Sequence, residues 1–385
     1  MKNYDVIVIG GGASGSIASI FASKKYQKIL IIDKNSKPLK KLLVTGNGRC
    51  NLTNINVNSV FYNQDIDSYL SKFPVSKTLN FFKSIGLETY FDEEGRVYPI
   101  TNSAKSVVDV LFNAINKNKI EVNLDEEVID ISQNNEEFLI KTNKNEFYSQ
   151  KIIIASGGKT LIDIISKFNI KIRKCSPSLV SLKTESTKNL SGTRLSPVVV
   201  KAINSQGQEK QECGEILFKD SGISGICIFN ISTLFSRIND FKGSLCLDLL
   251  PNLSQEELYN LLIERKKLDV KVNKFFEGLF VNAIAYEILN KLKINENKSS
   301  LKLTDNELKS MIEIIKNFKF NVLDCYDNNQ VFSGGVKLSE LTENLESKNT
   351  KGLYFCGEIC DVDGECGGFN LQWAWTSGFI VGNNI

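Results

Sequence analysis

The chain has 385 residues, 42% of them hydrophobic, enough for two or three folded units with real cores. Its 47 Lys and Arg against 44 Asp and Glu leave a net charge of +3 with the signs interspersed, so no basic stripe points to nucleic acid or an anionic membrane surface. It has no histidine, which excludes Ser-His-Asp and Cys-His nucleophiles, His-ligated zinc or haem iron, and a histidine general base.

In chain order, Lys2 and the apolar run after it imitate a signal peptide, but Asp5 and the Gly10-Gly11-Gly12 run break that pattern. No later run approaches the ~20 apolar residues of a bilayer span, so a cytoplasmic protein without a membrane partner is expected. Val6 to Ile9 reads as a buried parallel strand. Gly10, Gly12 and Gly15 follow, then a helix to about Lys24 and a second apolar strand, Ile29 to Ile32, ending in Asp33. Strand, glycine turn, helix, strand and acid together form a dinucleotide fingerprint. Gly10 makes the tight turn, Gly12 admits a pyrophosphate, Gly15 lets the helix pack closely, and Asp33 accepts from a ribose.

"KKLLVTGNGRCNLTN", Lys40 to Asn54, reads as a loop of backbone donors that aims Arg49 and Asn51 at phosphate or at the polar edge of a ring. "GRVYP" contributes Arg96 and Tyr98, "EEVIDI" (Glu126 to Ile131) is a strand, and "KIIIASGG" (Lys151 to Gly158) is a buried strand running into small residues. From about 179 to 250 short alternating segments such as "EILF" and "GICIFNIS" suggest strands of an antiparallel barrel or sandwich. "GISG", Gly222 to Gly225, lacks the spacing of a nucleophile elbow, and no histidine is present to activate Ser224. Residues 254 to 318 turn helical, with "SQEE" and "TDNE" each placing an acid three residues after a Ser or Thr cap. Phe320 to Phe332 reads as a return strand. "KGLYFCGEICDVDG" is a last parallel strand ending at Gly357 and Glu358, and "GECGGFNLQWAWTSG" enters a helix, Phe369 to Phe379, carrying both tryptophans.

Four of these stretches, "VIGGGASG", "KLLVTGNGRCNLTN", "GEILFKDSGISG" and "SGGVKLSEL" with the C-terminal segment, resemble the BaiN-like (YhiN-type) bacterial flavoproteins, often labelled aminoacetone oxidase family FAD-binding enzymes. The resemblance runs from residue 6 to 382 and implies an α/β fold: a Rossmann-like FAD-binding domain of glutathione-reductase type, interrupted by an inserted β-barrel-like and helical domain. Expected boundaries are 1–178 and 333–385 for the FAD domain and 179–332 for the insert, β-rich at 179–250 and 320–332 and helical at 254–318. Beyond Gly10, Gly12, Gly15 and Asp33, it implies FAD contacts from Ala13, Ser14, Lys34, Lys41, Thr45, Gly46, Gly48, Arg49, Cys50 and Asn51. Further along it implies contacts from Val128 at the adenine, from Ala155, Ser156, Gly157, Gly357 and Glu358, and from Gly367, Gly368, Asn370 and Leu371 at the flavin pyrimidine edge. Reduced flavin is anionic at that edge, which a helix N-terminus favours.

The expected activity is an FAD-dependent oxidoreductase acting on a small molecule. Relatives' names suggest amine oxidation, or reduction of conjugated double bonds in bile-acid-like ketones, and an enone-type substrate is favoured. With one dinucleotide fingerprint no dedicated NAD(P)H domain is expected: either NAD(P)H binds transiently over the flavin as donor, or the substrate itself is the donor and oxygen or quinone the acceptor. Arg49, Arg96 and Tyr98 are the candidate catalytic residues, within a pocket expected between FAD domain and insert. A flavin-bound protein with little turnover is the alternative from another class. RNA-associated chemistry is disfavoured by charge, and no metal site is expected. Departures from the family pattern are the absence of its loop after Gly158, where Lys159 and Thr160 run directly into "LIDIISKFNIKI", Asn47 at a usual glycine, Leu39 near another, and Cys356, Cys360 and Cys366 at positions usually aliphatic, small or hydroxylated. The nine scattered cysteines are expected as reduced thiols, these three as small core fillers.

Overall fold

A computed structural model describes residues 2–326 and 331–385. Contacts divide the chain into two compact units: Met1–Ser176 with Gln330–Ile385, and Pro177–Asn329.

The first unit is built on a five-stranded parallel sheet in the order 353–355, 152–154, 6–9, 29–32, 121–123. Its three inner strands are buried at every position, because helices and loops cover both faces, hence their uninterrupted Ile, Val and Leu; the edge strand 353–355 is buried throughout as well. The helix Ala13–Ala22 lies close on this sheet. A Cβ on Gly10 would stand 2.4 Å from the Ala155 carbonyl oxygen, and one on Gly15 would stand 2.0 Å from that of Gly10.

The C-terminal helix, Phe369–Asn384, packs along Ala13–Ala22. Gly378 and Gly382 make that approach possible, since a Cβ at either would fall 2.5 Å or 2.3 Å from the carbonyl oxygens of Ser14 and Ala18. Phe379 stacks on Phe73 at 4.4 Å and meets Phe21 edge-on at 4.8 Å. Phe21 and Phe73 are buried and Phe379 partly so, and fully burying such a side chain contributes about 1.5–3 kcal/mol. Two smaller sheets flank this core: a four-stranded one in the order 2–4, 146–149, 137–142, 128–134, and a three-stranded one pairing 53–54, 96–99 and 89–91.

The second unit is a closed six-stranded barrel, 182–184, 222–224, 209–219, 194–204, 243–248 and 318–325 in order around it. "EILF" lies in the strand Glu209–Lys219, but "GICIFNIS" is not a strand: Ile226–Ser236 is a helix, entered through Gly225 at φ +124°. The helix is buried around most of its circumference, Cys227, Ile228, Ile231 and Phe235 joining the barrel core, so its sequence is apolar at almost every position and lacks the polar stripe that reveals a helix. Both expected caps form. Ser254 and Thr304 accept from the N–H of Glu257 and Glu307, whose carboxylates bond back to the cap N–H groups of Gln255–Lys266 and Asp305–Lys316. Of the segment read as one return strand, Phe318–Cys325 closes the barrel and Val331–Val336 belongs to the first unit, while 327–330 lie outside the described residues.

Candidate active site

The first unit carries one elongated cleft at the carboxyl ends of its parallel strands, which Gly10, Gly12, Ala13 and Ser14 of the glycine turn line at one end. Gly10 and Gly12 differ in kind. A Cβ on Gly12 meets nothing within 4 Å, so the missing side chain leaves space in the cleft, whereas Gly10 and Gly15 are small because backbone sits against them. Gly15 does not reach the cleft.

Asp33 is held tightly at this end. Its Oδ2 accepts from the Gly11 N–H, and its Oδ1 accepts from the Asn35 N–H and Nδ2, all at 2.8 Å. Lys34 and Val128 line the wall beside it. So does a residue that sequence reasoning passed over: Glu126, buried, accepts from Thr142 Oγ1 at 2.6 Å and from Asn145 and Asn123 Nδ2 at 2.9 Å. Its proximity to Val128 in "EEVIDI" was the available signal.

In the loop 39–51, Gly46, Asn47, Gly48 and Cys50 all have φ between +54° and +81°. Asparagine is among the few side chains that tolerate that region, which accounts for Asn47; Leu39, buried at φ +57°, is strained. Lys41 and Thr45 line the cleft, together with Leu39, Lys40 and Leu42, whereas Gly46, Gly48, Arg49, Cys50 and Asn51 stand off it. Burial pushes the Cys50 thiol up to about 12, against a smaller lowering by Thr45. The Arg49 guanidinium lies 4.6 Å over the Tyr98 ring. Tyr98 is 4% exposed; burial raises its hydroxyl, against smaller lowering by Arg96 and Arg49. Arg96 is engaged elsewhere, its Nε on Asp92 at 2.8 Å and its Nη2 on Glu94 at 2.7 Å. Asn51 Oδ1 is buried without a hydrogen-bond partner among the described residues and faces Gly368.

The far wall comes from the C-terminal segment and the strand 152–154. Ala155, Ser156, Gly157, Glu358, Asn370 and Leu371 line it, with Trp373, Ala374, Thr160, Leu161, Val331 and Val362, which sequence reasoning did not assign. Glu358 gathers three donors from separate segments: Lys41 Nζ at 2.7 Å and the Gly158 N–H at 3.2 Å on Oε2, and the Phe332 N–H at 2.9 Å on Oε1. Gly357 is behind the wall. Its N–H donates to Ser377 Oγ and its carbonyl accepts from Trp373 Nε1 at 3.0 Å, while Trp375 Nε1 donates to the Leu52 carbonyl at 2.8 Å. The two tryptophans thus fix two different cleft segments to the C-terminal helix. Gly367 and Gly368, at φ +133° and +98°, turn the chain into that helix behind the cleft, and Asn370 closes the turn by bonding both the N–H and the carbonyl of Gly364. Cys356 and Cys360 are fully buried free cysteines, their thiols raised by burial, Cys356 to about 12; Cys366 is half-buried.

The cleft's donor set fits an FAD molecule: an open glycine turn at a helix N-terminus, a fixed carboxylate at the second strand, a second helix N-terminus at the opposite wall, and the orphaned Asn51 oxygen near it. A glycine turn of this kind, with a C-terminal segment returning to the same sheet, defines a Rossmann-type FAD-binding fold. The family model described as HI0933-like protein Rossmann domain matches residues 4–384, and the chain belongs to that family of flavin-dependent oxidoreductases. It is 29% identical to a 3-dehydro-bile acid delta(4,6)-reductase of Clostridium scindens over 406 aligned positions, 97% of each chain, and 26% identical to a ribosomal RNA dihydrouridine synthase of Escherichia coli, covering 100% of this chain and 98% of that one. Among solved structures, a 3-ketosteroid delta1-dehydrogenase of Sterolibacterium denitrificans shares the fold, with a TM-score of 0.52 at 12% identity, covering 100% of this chain and 99% of that one. Among the described residues no helix is long and apolar enough to cross a membrane, and no group of residues has the makeup of a metal site.

Proposed function

We propose that the protein is a cytoplasmic reductase that saturates a carbon–carbon double bond conjugated to a carbonyl in a small organic molecule, with FAD in the cleft and NAD(P)H as the transient electron donor. The observation that carries this reading is the single continuous cleft joining the glycine turn, Asp33, Glu358 and the entrance to the C-terminal helix. Two relatives that match almost the whole chain support the bond type: a delta(4,6) reduction in a 3-dehydro-bile acid and the making of dihydrouridine are both saturations of a double bond conjugated to a carbonyl. A small substrate is favoured over ribosomal RNA by the net charge of +3 with interspersed signs.

When bound, FAD supplies hydride transfer from its reduced isoalloxazine. The backbone N–H groups after Gly12 would hold the pyrophosphate, Asp33 the adenosine ribose, and Val128 with Glu126 the adenine end. Lys41 and Glu358, as a neutral ion pair, and Ser156 and Gly157 would line the cofactor's middle. The N–H groups of Asn370 and Leu371 would favour negative charge at the pyrimidine edge, with Asn51 Oδ1 as a further acceptor. Arg49, which rests on the Tyr98 ring and stands off the cleft, would act on charge developing at the reduced ring or the substrate carbonyl through space, as an electrostatic stabiliser without direct contact. Tyr98 serves as the platform for Arg49, and Arg96 anchors the 92–96 turn without entering the chemistry.

A panel of cyclohexenone, a 3-keto-4-ene steroid, aminoacetone and ribosomal RNA, each offered to the FAD-loaded protein with NADPH, tests the reading. Saturated ketone products support it. Hydrogen peroxide released from aminoacetone without NADPH points to an amine oxidase, dihydrouridine in the RNA points to the nucleic-acid substrate, and a stable flavin unresponsive to all four leaves a binding protein with little turnover.

A further inference from the structure

The barrel carries a polar cluster whose residues are not among those lining the cleft of the first unit. Lys219 ends the strand Glu209–Lys219, and its Nζ donates to Ser181 Oγ at 3.0 Å; Ser181 Oγ in turn donates to Ser224 Oγ at 3.0 Å. Both serines are buried, at 5% and 8% exposure. The Lys219 ammonium also lies 4.4 Å over the Tyr326 ring, which Gly222 accommodates, because a Cβ there would stand 2.9 Å from Tyr326 Cε2. Lys183 reaches the same ring at 5.7 Å, but its charge is met by Asp324 at 3.3 Å.

Lys219 has no such partner: among the described residues no carboxylate stands within ion-pair distance of it. A half-buried ammonium with only a hydroxyl and a ring beside it is poorly compensated. The Ser224 hydroxyl, having accepted from Ser181, keeps a proton with no acceptor among the described residues. Two donors, one of them cationic, thus flank a single oxygen beside an aromatic face. One net positive charge matches a carboxylate better than a doubly charged phosphate, and the ring supplies an apolar contact for whatever carries it.

We propose that Lys219 and Ser224 form a carboxylate-binding site for a ring-bearing organic acid, the ammonium and the hydroxyl each donating to one carboxylate oxygen, with the ligand's ring against Tyr326. Its test reads binding instead of turnover. Sodium benzoate is titrated calorimetrically into the FAD-loaded full chain, with benzamide and inorganic phosphate as separate arms. Benzoate binds saturably, benzamide at least roughly tenfold more weakly, and Lys219→Met weakens benzoate by roughly tenfold or more, as expected for the loss of a charge-assisted hydrogen bond. Ser224→Ala weakens it less, and Lys219→Arg largely restores it. Visible spectra of the variants, unchanged from the parent, separate loss of this site from loss of fold or flavin. Equal binding by parent and Lys219→Met, no binding by the parent, or tighter binding of phosphate than of benzoate overturns the proposal.

Discussion

The two ends of the cleft are built on different physics. At the glycine turn the wall is backbone, and its shape follows from what is missing: no side chain at Gly12, and none at Gly10 and Gly15, where carbonyl oxygens of Ala155 and Gly10 fill the space. At the other end the wall is held by side chains reaching across the sequence. Glu358 ties the loop of Lys41 to Gly158 and Phe332, Trp373 and Trp375 anchor Gly357 and Leu52, and Arg49 rests on Tyr98. At the first end Gly10 and Gly15 tolerate no added atoms while Gly12 leaves open space for an anion, whereas the second end tolerates substitution at a graded cost and is where electrostatics can be tuned.

The largest effects test the backbone end. Gly15→Val should prevent folding or cost several kcal/mol, because its Cβ would stand 2.0 Å from the Gly10 carbonyl oxygen, and a denaturant melt reads it. Gly12→Val should leave the melt of the flavin-free protein within about 1 kcal/mol of the parent, its Cβ meeting nothing, yet lose FAD; a variant that keeps stoichiometric flavin breaks the distinction between the two glycines.

At the side-chain end the effects are smaller. Arg49→Met should retain FAD while lowering turnover by about 10–100-fold, the usual scale for removing one electrostatic stabiliser, whereas Tyr98→Phe, which keeps the ring beneath the guanidinium, should change turnover little. Steady-state kinetics on both variants check this, and equal losses would give the Tyr98 hydroxyl a direct role. Leu39→Gly should lower stability by about 1–3 kcal/mol in a denaturant melt, because the roughly 2–5 kcal/mol carried by its buried side chain exceeds the roughly 1–2 kcal/mol of left-handed strain that glycine relieves.

The smallest effect is in pH. Burial raises the Cys356 thiol from 9.0 to about 12, so folding favours the neutral form. Its contribution is full below pH 9 and falls as pH rises toward 12. Denaturant melts should therefore weaken over that window, less steeply in Cys356→Ala; a parent that keeps its stability to pH 12 would argue that the thiol is not buried.

The parallel sheet was readable because each element carries its own local signature: fully apolar strands, glycines at fixed spacing, an acid at the end of the second strand. The paired caps at Ser254 and Thr304 were readable for the same reason. The helix Ile226–Ser236 was not, since burial around most of its circumference erased the periodicity that distinguishes a helix from a strand. In the site, assignments from the loop 40–54 described its composition correctly but could not tell which residues turn toward the cleft; four left-handed positions in five residues send Arg49 onto Tyr98 and leave Lys41 and Thr45 on the wall. Val331 reaches the cleft through tertiary folding alone, and the occupation of Arg96 by Asp92 and Glu94 depends on a turn geometry that the residue types do not specify.

The most direct test of the account is the visible spectrum of the protein purified without oxygen and titrated first with NADH, then NADPH, then cyclohexenone. The account predicts stoichiometric FAD, bleaching by at least one pyridine nucleotide, and recovery of the oxidised spectrum on adding the enone. A colourless protein that FAD cannot reconstitute would contradict it.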